Sequence, residues 1–180
     1  MLGDVHIGQM SRRDLLTIGY LPQTPVIFEG SVRENLDPYR SHSDHERMLS
    51  LRSDGLDHLR LDDFIRPHEL TAAYSAFFGL ARIFLLCPQL LLLYEVSSAS
   101  NRTELATLAG MIEEFNVEVH GRISIIQTSY NLDRGLPADA VVVPREGRVN
   151  EVGSPSSLSG IQEASSEFAS MLRLQLHVNE

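Results

Sequence analysis

The stretch LARIFLLCPQLLLLYEVSSASN, residues 80–101, decides the fold. It begins inside an apolar run interrupted by one charge, Arg82, and a segment of four leucines follows Pro88. Proline ends helices, and a short apolar run bounded by a break is typical of a buried strand. The pattern therefore predicts a buried helix over 71–86, followed by a strand over 90–94.

The polar pair after the leucines carries the chemistry of this strand. Nucleotide-hydrolysing α/β domains present two acids at such a strand end: one holds magnesium and the other polarises the attacking water. Here Tyr94 stands first and Glu95 second. A phenol, whose pKa is about 10, is a poor magnesium ligand at neutral pH. We interpret Glu95 as a former general base whose metal-holding partner is replaced; the alternative is an ordinary solvated acid beside a space-filling tyrosine.

Composition narrows the possible functions. A chain of 180 residues that is 43% hydrophobic predicts one domain over 1–180. A net charge of -9 argues against binding nucleic acid. All 15 cationic residues are arginines, so a P-loop lysine and a lysine Schiff base are both excluded within this chain. The single Cys87 has no partner for an internal disulfide, and no signal peptide is evident, so we expect a cytoplasmic location.

Strand and helix patterns alternate along the remaining sequence, which predicts a mostly parallel sheet. The strands are expected at 4–7, 17–22, 90–94, 123–127 (buried) and 140–143, the last with a hairpin return at 148–152. Helices are expected at 11–16, after the Ser31 capping box, twice within 42–66 with a break at Asp54-Gly55, at 71–86, at 102–115, from Asn131, after Pro155, and at the C-terminus with Phe168, Met171, Leu172 and Leu176 on one face. Residues 42–86 form a helical outcrop. Because Arg82, Pro88 and Gln89 interrupt the apolar residues 70–93, we expect no membrane span.

Four segments together carry a family resemblance. They are IGYLPQTPVIFEGSVRENLDP (18–38), LTAAYSAFFGLARIFLLCPQLLLLYEVSSASN (70–101), ISIIQTSYNL (123–132) and PADAVVVPREGRVNEVGSPSSL (137–158). In this order the chain resembles the nucleotide-binding domain of an ATP-binding cassette (ABC) transporter, most like the second such domain of the multidrug-resistance-associated C subfamily. The resemblance implies an incomplete P-loop NTPase-like α/β fold with a small helical subdomain and without its Walker A unit, which would lie upstream of residue 1.

The resemblance also assigns positions in the site. Gln23 corresponds to the metal- and water-sensing glutamine, Thr71, Ala72 and Ala73 to the signature motif, Tyr94 and Glu95 to the Walker B acids, Asn101 to the D-loop aspartate, and Ser129 to the switch histidine. Gln23, Glu95 and Ser129 would follow the carboxyl ends of parallel strands, where the sites of such sheets lie.

Several of these positions depart from the family pattern. Methyl groups at Ala72 and Ala73 stand where glycines allow the backbone to approach phosphate. Thr71 keeps a hydroxyl, whereas no histidine lies near Ser129 and no aspartate occupies position 94. The spacing of His42 and His45 is compatible with a metal, but nothing completes that site, and we expect surface histidines.

The resemblance implies ATP and magnesium as cofactors and transport across a membrane as the family activity. We expect the isolated chain neither to bind ATP tightly nor to hydrolyse it. Its partners would be a second cassette domain or the membrane domains of a transporter, which places it at the cytoplasmic face of a membrane. The alternatives are a non-catalytic interaction module that docks on a complete cassette, or an incomplete gene product.

Overall fold

A computed structural model describes residues 6–52, 55–96, 101–118, 123–130, 132, 138–159 and 166–178. The chain divides into two compact units, Met1–Thr128 and Ser129–Glu180, and each is described by itself. The organisation as one domain stays a prediction.

The first unit contains five helices and five strands in its described part. They are α1 (Arg12–Leu15), β1 (Ile18–Leu21), β2 (Gly30–Ser31), α2 (Val32–Leu36), α3 (Asp44–Ser50), β3 (Phe64–Ile65), α4 (Ala72–Phe84), β4 (Leu90–Tyr94), α5 (Arg102–Glu118) and β5 (Ser124–Thr128), with single 3-10 turns at Ile7–Gln9 and Pro67–Glu69.

The central sheet of the first unit is parallel, as the sequence predicts, and its strand order is β1-β4-β5. Leu21 pairs with Leu93, and the row Tyr20-Leu92-Ile126 crosses all three strands in register. The carboxyl ends of the strands therefore lie at one edge of the sheet.

Helix α4 covers one face of this sheet. Gly19 permits the close approach, because a Cβ atom there would lie 2.3 Å from Cγ2 of Ile83. A Cβ atom on Gly79 would likewise lie 2.6 Å from Leu21. Helix α5 joins this layer through Phe84 and Phe115, whose rings stack at 4.2 Å. The helix-then-strand pair read from residues 71–94 is thus the core of the unit.

The expectation that 123–127 form a buried strand is wrong about burial. Four of the five residues of β5 are exposed, with Ile126 at 57%. The apolar pattern predicted the strand correctly, but β5 lies at an edge of a three-stranded sheet. Few neighbours cover an edge strand, whatever its composition.

In its described residues, 42–52 and 55–66, the region 42–66 contains one helix, α3, rather than two. The capping boxes of α2 at Ser31 and of α3 at Ser43 are both formed. In place of a second helix, the carbonyl oxygens of Leu61 and Asp63 accept the backbone N–H groups of Arg33 and Val32. β3 then pairs antiparallel with β2, so tertiary hydrogen bonds to the start of α2 override the local helical pattern.

Two further predicted elements fall wholly or partly on residues that the structure does not describe. The strand predicted at 4–7 begins outside the described residues, and Ile7–Gln9 form a 3-10 turn instead of extended chain. The helix predicted from Asn131 lies almost entirely outside the described residues.

The second unit contains the hairpin β6 (Val141–Arg145) and β7 (Arg148–Gly153), followed by α6 (Pro155–Ser159) and α7 (Glu167–Val178). Glu146 and Gly147 both have positive φ, 51° and 75°, as a two-residue hairpin turn requires. Val143, Leu158 and Phe168 form a small core with Leu172 packed against it. Met171 lies within α7 as predicted, but its side chain is 39% exposed, unlike that of Phe168.

In the described residues, the helices are too short or too polar to cross a membrane.

Candidate functional site

Two of the predicted site residues follow the ends of neighbouring parallel strands. Gln23 lies two residues beyond β1, and Glu95 directly follows β4. Since β1 and β4 are paired in parallel, both residues follow strands that end at the same edge of the sheet. Ser129 directly follows β5 and begins the second unit.

At the end of β4, the tyrosine is exposed and the glutamate is buried, which is the reverse of a space-filling Tyr94 beside a solvated Glu95. Tyr94 is 46% exposed and Glu95 only 6% exposed. The tyrosine therefore does not fill a space in the core, and the glutamate is not a solvated acid. Alternate residues of a strand face the same side, and the alternate residues Leu91, Leu93 and Glu95 are all buried. This two-residue period is the sequence signal that predicts a buried Glu95.

Glu95 also has an unusual backbone conformation. Its φ is 53°, in the left-handed region, while its N–H donates to the carbonyl of Thr128 at 3.2 Å. A residue with a Cβ atom pays roughly 1 kcal/mol or more for this conformation, which is concentrated at functional sites. The strand end thus holds a buried carboxyl group on a strained backbone.

The positions that the resemblance assigns to the signature motif lie at the start of α4. Thr71 is its N-cap, and the Thr71 hydroxyl oxygen accepts the N–H of Tyr74 at 3.1 Å. Ala72 is exposed, whereas Ala73 is buried at 3%. The methyl group of Ala73 is therefore packed inside the protein, and the hydroxyl of Thr71 serves the helix.

Tyr74, the next residue, is held from the side. Its hydroxyl group lies 2.9 Å from Nε2 of His58. Burial raises the pKa of Tyr74, and the carboxylates of Asp57 and Asp63 raise it further. This contact ties the turn before β3 to the first turn of α4.

Asn101 has a structural task. Its side-chain oxygen accepts the N–H of Glu104 at 2.9 Å, and the Glu104 carboxylate accepts the N–H of Asn101 at 2.8 Å. This reciprocal pair caps α5. The sequence contains the signal for this cap, an asparagine followed three residues later by a glutamate.

Arg82, the one charge in the apolar run, pairs with backbone carbonyls. Its Nε donates to the carbonyl of Asn35 at 2.8 Å and its Nη1 to that of Val26 at 2.9 Å. Val26 belongs to the loop that carries Gln23.

The histidine pair was expected at the surface. His42 instead lies partly buried, with Nδ1 3.4 Å from Asp37 Oδ2. Within the described residues, no cluster of three histidine, cysteine or acidic side chains is arranged to hold a metal ion.

Comparisons with known proteins were made for both sequence and structure. No family model matches the chain. Over 94% of this chain, the sequence is 31% identical to the ABC transporter ecdL of Aspergillus rugulosus. Over 84% of this chain, it is 30% identical to human ATP-binding cassette sub-family C member 2. It is also 28% identical to the multidrug resistance protein mrp-7 of Caenorhabditis elegans over 96%.

These relatives are much longer proteins. The chain spans about a tenth of their length, 11%, 10% and 12% respectively. Among solved structures, a bacterial Atm1-family ABC exporter with ATP bound matches 90% of the chain with a TM-score of 0.74 and 20% identity, over 29% of the exporter chain.

Proposed function

Because the chain has the fold of ABC exporter cassettes and resembles C-subfamily transporters over most of its length, we propose that it is a degenerate cassette domain that neither binds ATP tightly nor hydrolyses it alone. In the full protein it would act at the cytoplasmic face of a membrane, beside membrane domains or a second cassette.

The observation that supports this proposal is the pair of side chains at the end of β4. A phenol, nearly half exposed, occupies the position that would hold magnesium, next to the buried Glu95. The hard Mg²⁺ ion prefers carboxylate oxygens and water, so Tyr94 does not fit it. We therefore derive no hydrolytic step through the ion.

The phosphate-facing positions support the same conclusion. The chain has no lysine to contact a β- or γ-phosphate. At the start of α4, Ala73 has its methyl group packed and Thr71 uses its hydroxyl oxygen as the helix cap. Gln23 and Glu95 keep their places at the strand ends, but the groups that would position a nucleotide against them are altered.

A second candidate function is docking on a complete cassette without catalysis. Thr71 and Ala72 are exposed at the first turn of α4. The N-terminus of a helix favours anions, so this turn could approach a nucleotide held by the partner. In this role the chain would contribute a surface rather than chemistry.

One experiment separates these functions. The purified chain is assayed for magnesium-dependent ATPase activity, alone and with an immobilised complete C-subfamily cassette, and its retention on that cassette is measured with and without ATP. We expect no ATPase activity from the chain alone above that of a Glu95→Gln variant. Activity that Glu95→Gln abolishes would contradict the proposed inactivity.

Docking has its own matched variants. Ala72→Glu places a carboxylate where the partner's nucleotide would lie, and an acid in the first turn does not destabilise the helix. Val117→Glu changes another exposed position, on α5, whose side chain is 73% exposed. ATP-dependent retention that Ala72→Glu removes and Val117→Glu keeps supports docking. No retention in any condition, together with aggregation, supports an incomplete gene product.

A further inference from the structure

We propose that Arg82 is a positioning residue that fixes the loop carrying Gln23, residues 22–29, to helix α4. The proposal concerns how the loop is held. It goes beyond the proposed function, because it applies whether or not the chain meets a nucleotide.

Three contacts connect the guanidinium group of Arg82 to distant parts of the chain. Nη1 donates to the carbonyl of Val26 in the loop, and Nε donates to the carbonyl of Asn35 in the last turn of α2. The central carbon lies 5.9 Å from the centroid of the Phe28 ring. The partners are 47 to 56 residues away in sequence, so the contacts hold elements that the chain itself does not hold together.

Asn35 extends the effect of these contacts. Its side chain is fully buried, accepts the N–H of Phe28 at 2.8 Å, and donates to the carbonyls of Phe28 at 2.9 Å and Ser31 at 3.1 Å. The amide group thus replaces a strand neighbour for Phe28. The loop and α2 form one body, and Arg82 holds that body at two carbonyl oxygens.

The geometry requires a guanidinium group. Its planar fork presents several N–H groups in fixed directions, whereas a lysine ammonium is a single point charge. Burial lowers the pKa of Arg82, and its Nη2 is buried without an acceptor among the described residues. No carboxylate forms an ion pair with Arg82 within the part of the chain that the structure describes. The two carbonyls and the ring are therefore what stabilise the charge here.

The consequence concerns Gln23. It lies three residues before Val26, and the intervening Pro25 is buried against Gly79 of α4. Because α4 is capped by Thr71, the first of the proposed signature positions, a displacement of that helix carries the Gln23 loop with it. Arg82 is the polar part of this connection.

Hydrogen exchange of the whole chain, measured by mass spectrometry, tests the proposal in Arg82→Met and Arg82→Lys. We expect the peptide that covers residues 26–28, in which the Phe28 N–H donates to the Asn35 side chain, to exchange at least about tenfold faster in both variants, while β4 changes by less than about twofold. A stabilising residue without a positioning role would instead accelerate loop and sheet together.

Arg66 provides the matched control. Its guanidinium also lies over a phenylalanine ring, that of Phe64 at 5.5 Å, but its side chain is 51% exposed. Arg66→Met and Arg66→Lys should leave residues 26–28 unchanged. If Arg82→Met does not fold, Arg82→Lys decides alone. Unchanged exchange at 26–28, or equal acceleration in loop and sheet, would overturn the proposal.

Discussion

Asp37 organises a small buried network in the first unit. Its carboxylate accepts the backbone N–H groups of Ser41 and His42 at 3.0 and 2.8 Å and those of the Arg47 guanidinium at 3.2 and 2.8 Å. Asp37 is 4% exposed and Arg47 is 5% exposed. Burial alone would raise the pKa of Asp37, but the hydrogen bonds outweigh it and lower the pKa to about 2. The ionised form is therefore tied to the folded state.

This network predicts a specific acid sensitivity. The pKa of Asp37 falls from 3.8 in the unfolded chain to about 2 in the folded one, so its stabilisation is complete above pH 3.8 and is lost as the pH falls through 2. We expect this group to remove about 2 kcal/mol of unfolding free energy between pH 5 and 2. Urea unfolding at a series of pH values measures it.

Asp37→Asn removes the titrating group. At pH 7 it should be about 2 to 4 kcal/mol less stable than the parent chain, because the buried Arg47 loses its buried carboxylate partner and keeps only the exposed Asp44. Near pH 2 the two proteins should converge. Asp57→Asn, at a side chain that is 71% exposed, should keep the pH dependence of the parent. A constant difference between Asp37→Asn and the parent at every pH would contradict the assignment.

The elements show which parts of the structure local sequence determines. The capping boxes at Ser31 and Ser43 and the positive-φ turn at Glu146-Gly147 depend on residues within a few positions, and the sequence contains them in full. The segment that leads into β3 accepts hydrogen bonds from Val32 and Arg33, which lie more than 25 residues earlier in the chain. The local helical pattern does not contain these partners, and it predicted a helix there. The exposure of β5 depends on which strands lie beside it, which hydrophobic periodicity does not encode.

The candidate site divides in the same way. Motif order predicted that Gln23 and Glu95 follow strand ends, because parallel pairing makes that position a consequence of topology. The burial and left-handed backbone of Glu95, and the outward ring of Tyr94, come from the packing around β4. The role of Asn101 as a helix cap was available in its local spacing to Glu104.

The packing of α4 on β1 gives a prediction that separates tertiary contact from backbone preference. Gly19→Ala would bring a methyl group within 2.3 Å of Ile83 and 3.3 Å of Pro88 and Leu91. We expect a loss of about 1 to 3 kcal/mol in the free energy of unfolding, since the layer must shift to accommodate it. Thermal or urea unfolding followed by circular dichroism measures the loss.

Gly110→Ala is the matched control within α5. A Cβ atom at that position would meet nothing within 4 Å. Alanine is the better helix former, so this variant should gain up to about 1 kcal/mol. If both substitutions changed the free energy of unfolding in the same direction, close packing between α4 and β1 would not explain the glycine at position 19.

The first unit has an asymmetric sheet. α4 packs on the face formed by Gly19 and Leu21, while Tyr20 and Ile126 on the other face are 56% and 57% exposed. Parallel sheets normally have both faces covered, and their strands are accordingly apolar on both sides. One face of the central sheet is therefore covered by α4, and apolar side chains on the other face are exposed to solvent.

This row predicts how the chain behaves in solution. Contiguous exposed apolar surface promotes association, so the isolated chain should self-associate and bind a hydrophobic dye. Ile126→Thr should reduce both effects by at least about twofold with little change in unfolding free energy, because the replaced side chain is already more than half exposed and threonine favours strands. Light scattering and dye fluorescence measure them at matched protein concentrations.

Val117→Thr tests whether any exposed valine or isoleucine would act in this way. Val117 is 73% exposed, but it lies on helix α5 and not on a strand of the sheet. It should leave scattering and dye binding unchanged. An equal effect of the two variants would mean that association depends on general surface hydrophobicity, and the open face of the sheet would then have no special part in it. A selective effect of Ile126→Thr would identify the row of Tyr20, Leu92 and Ile126 as the surface that drives association.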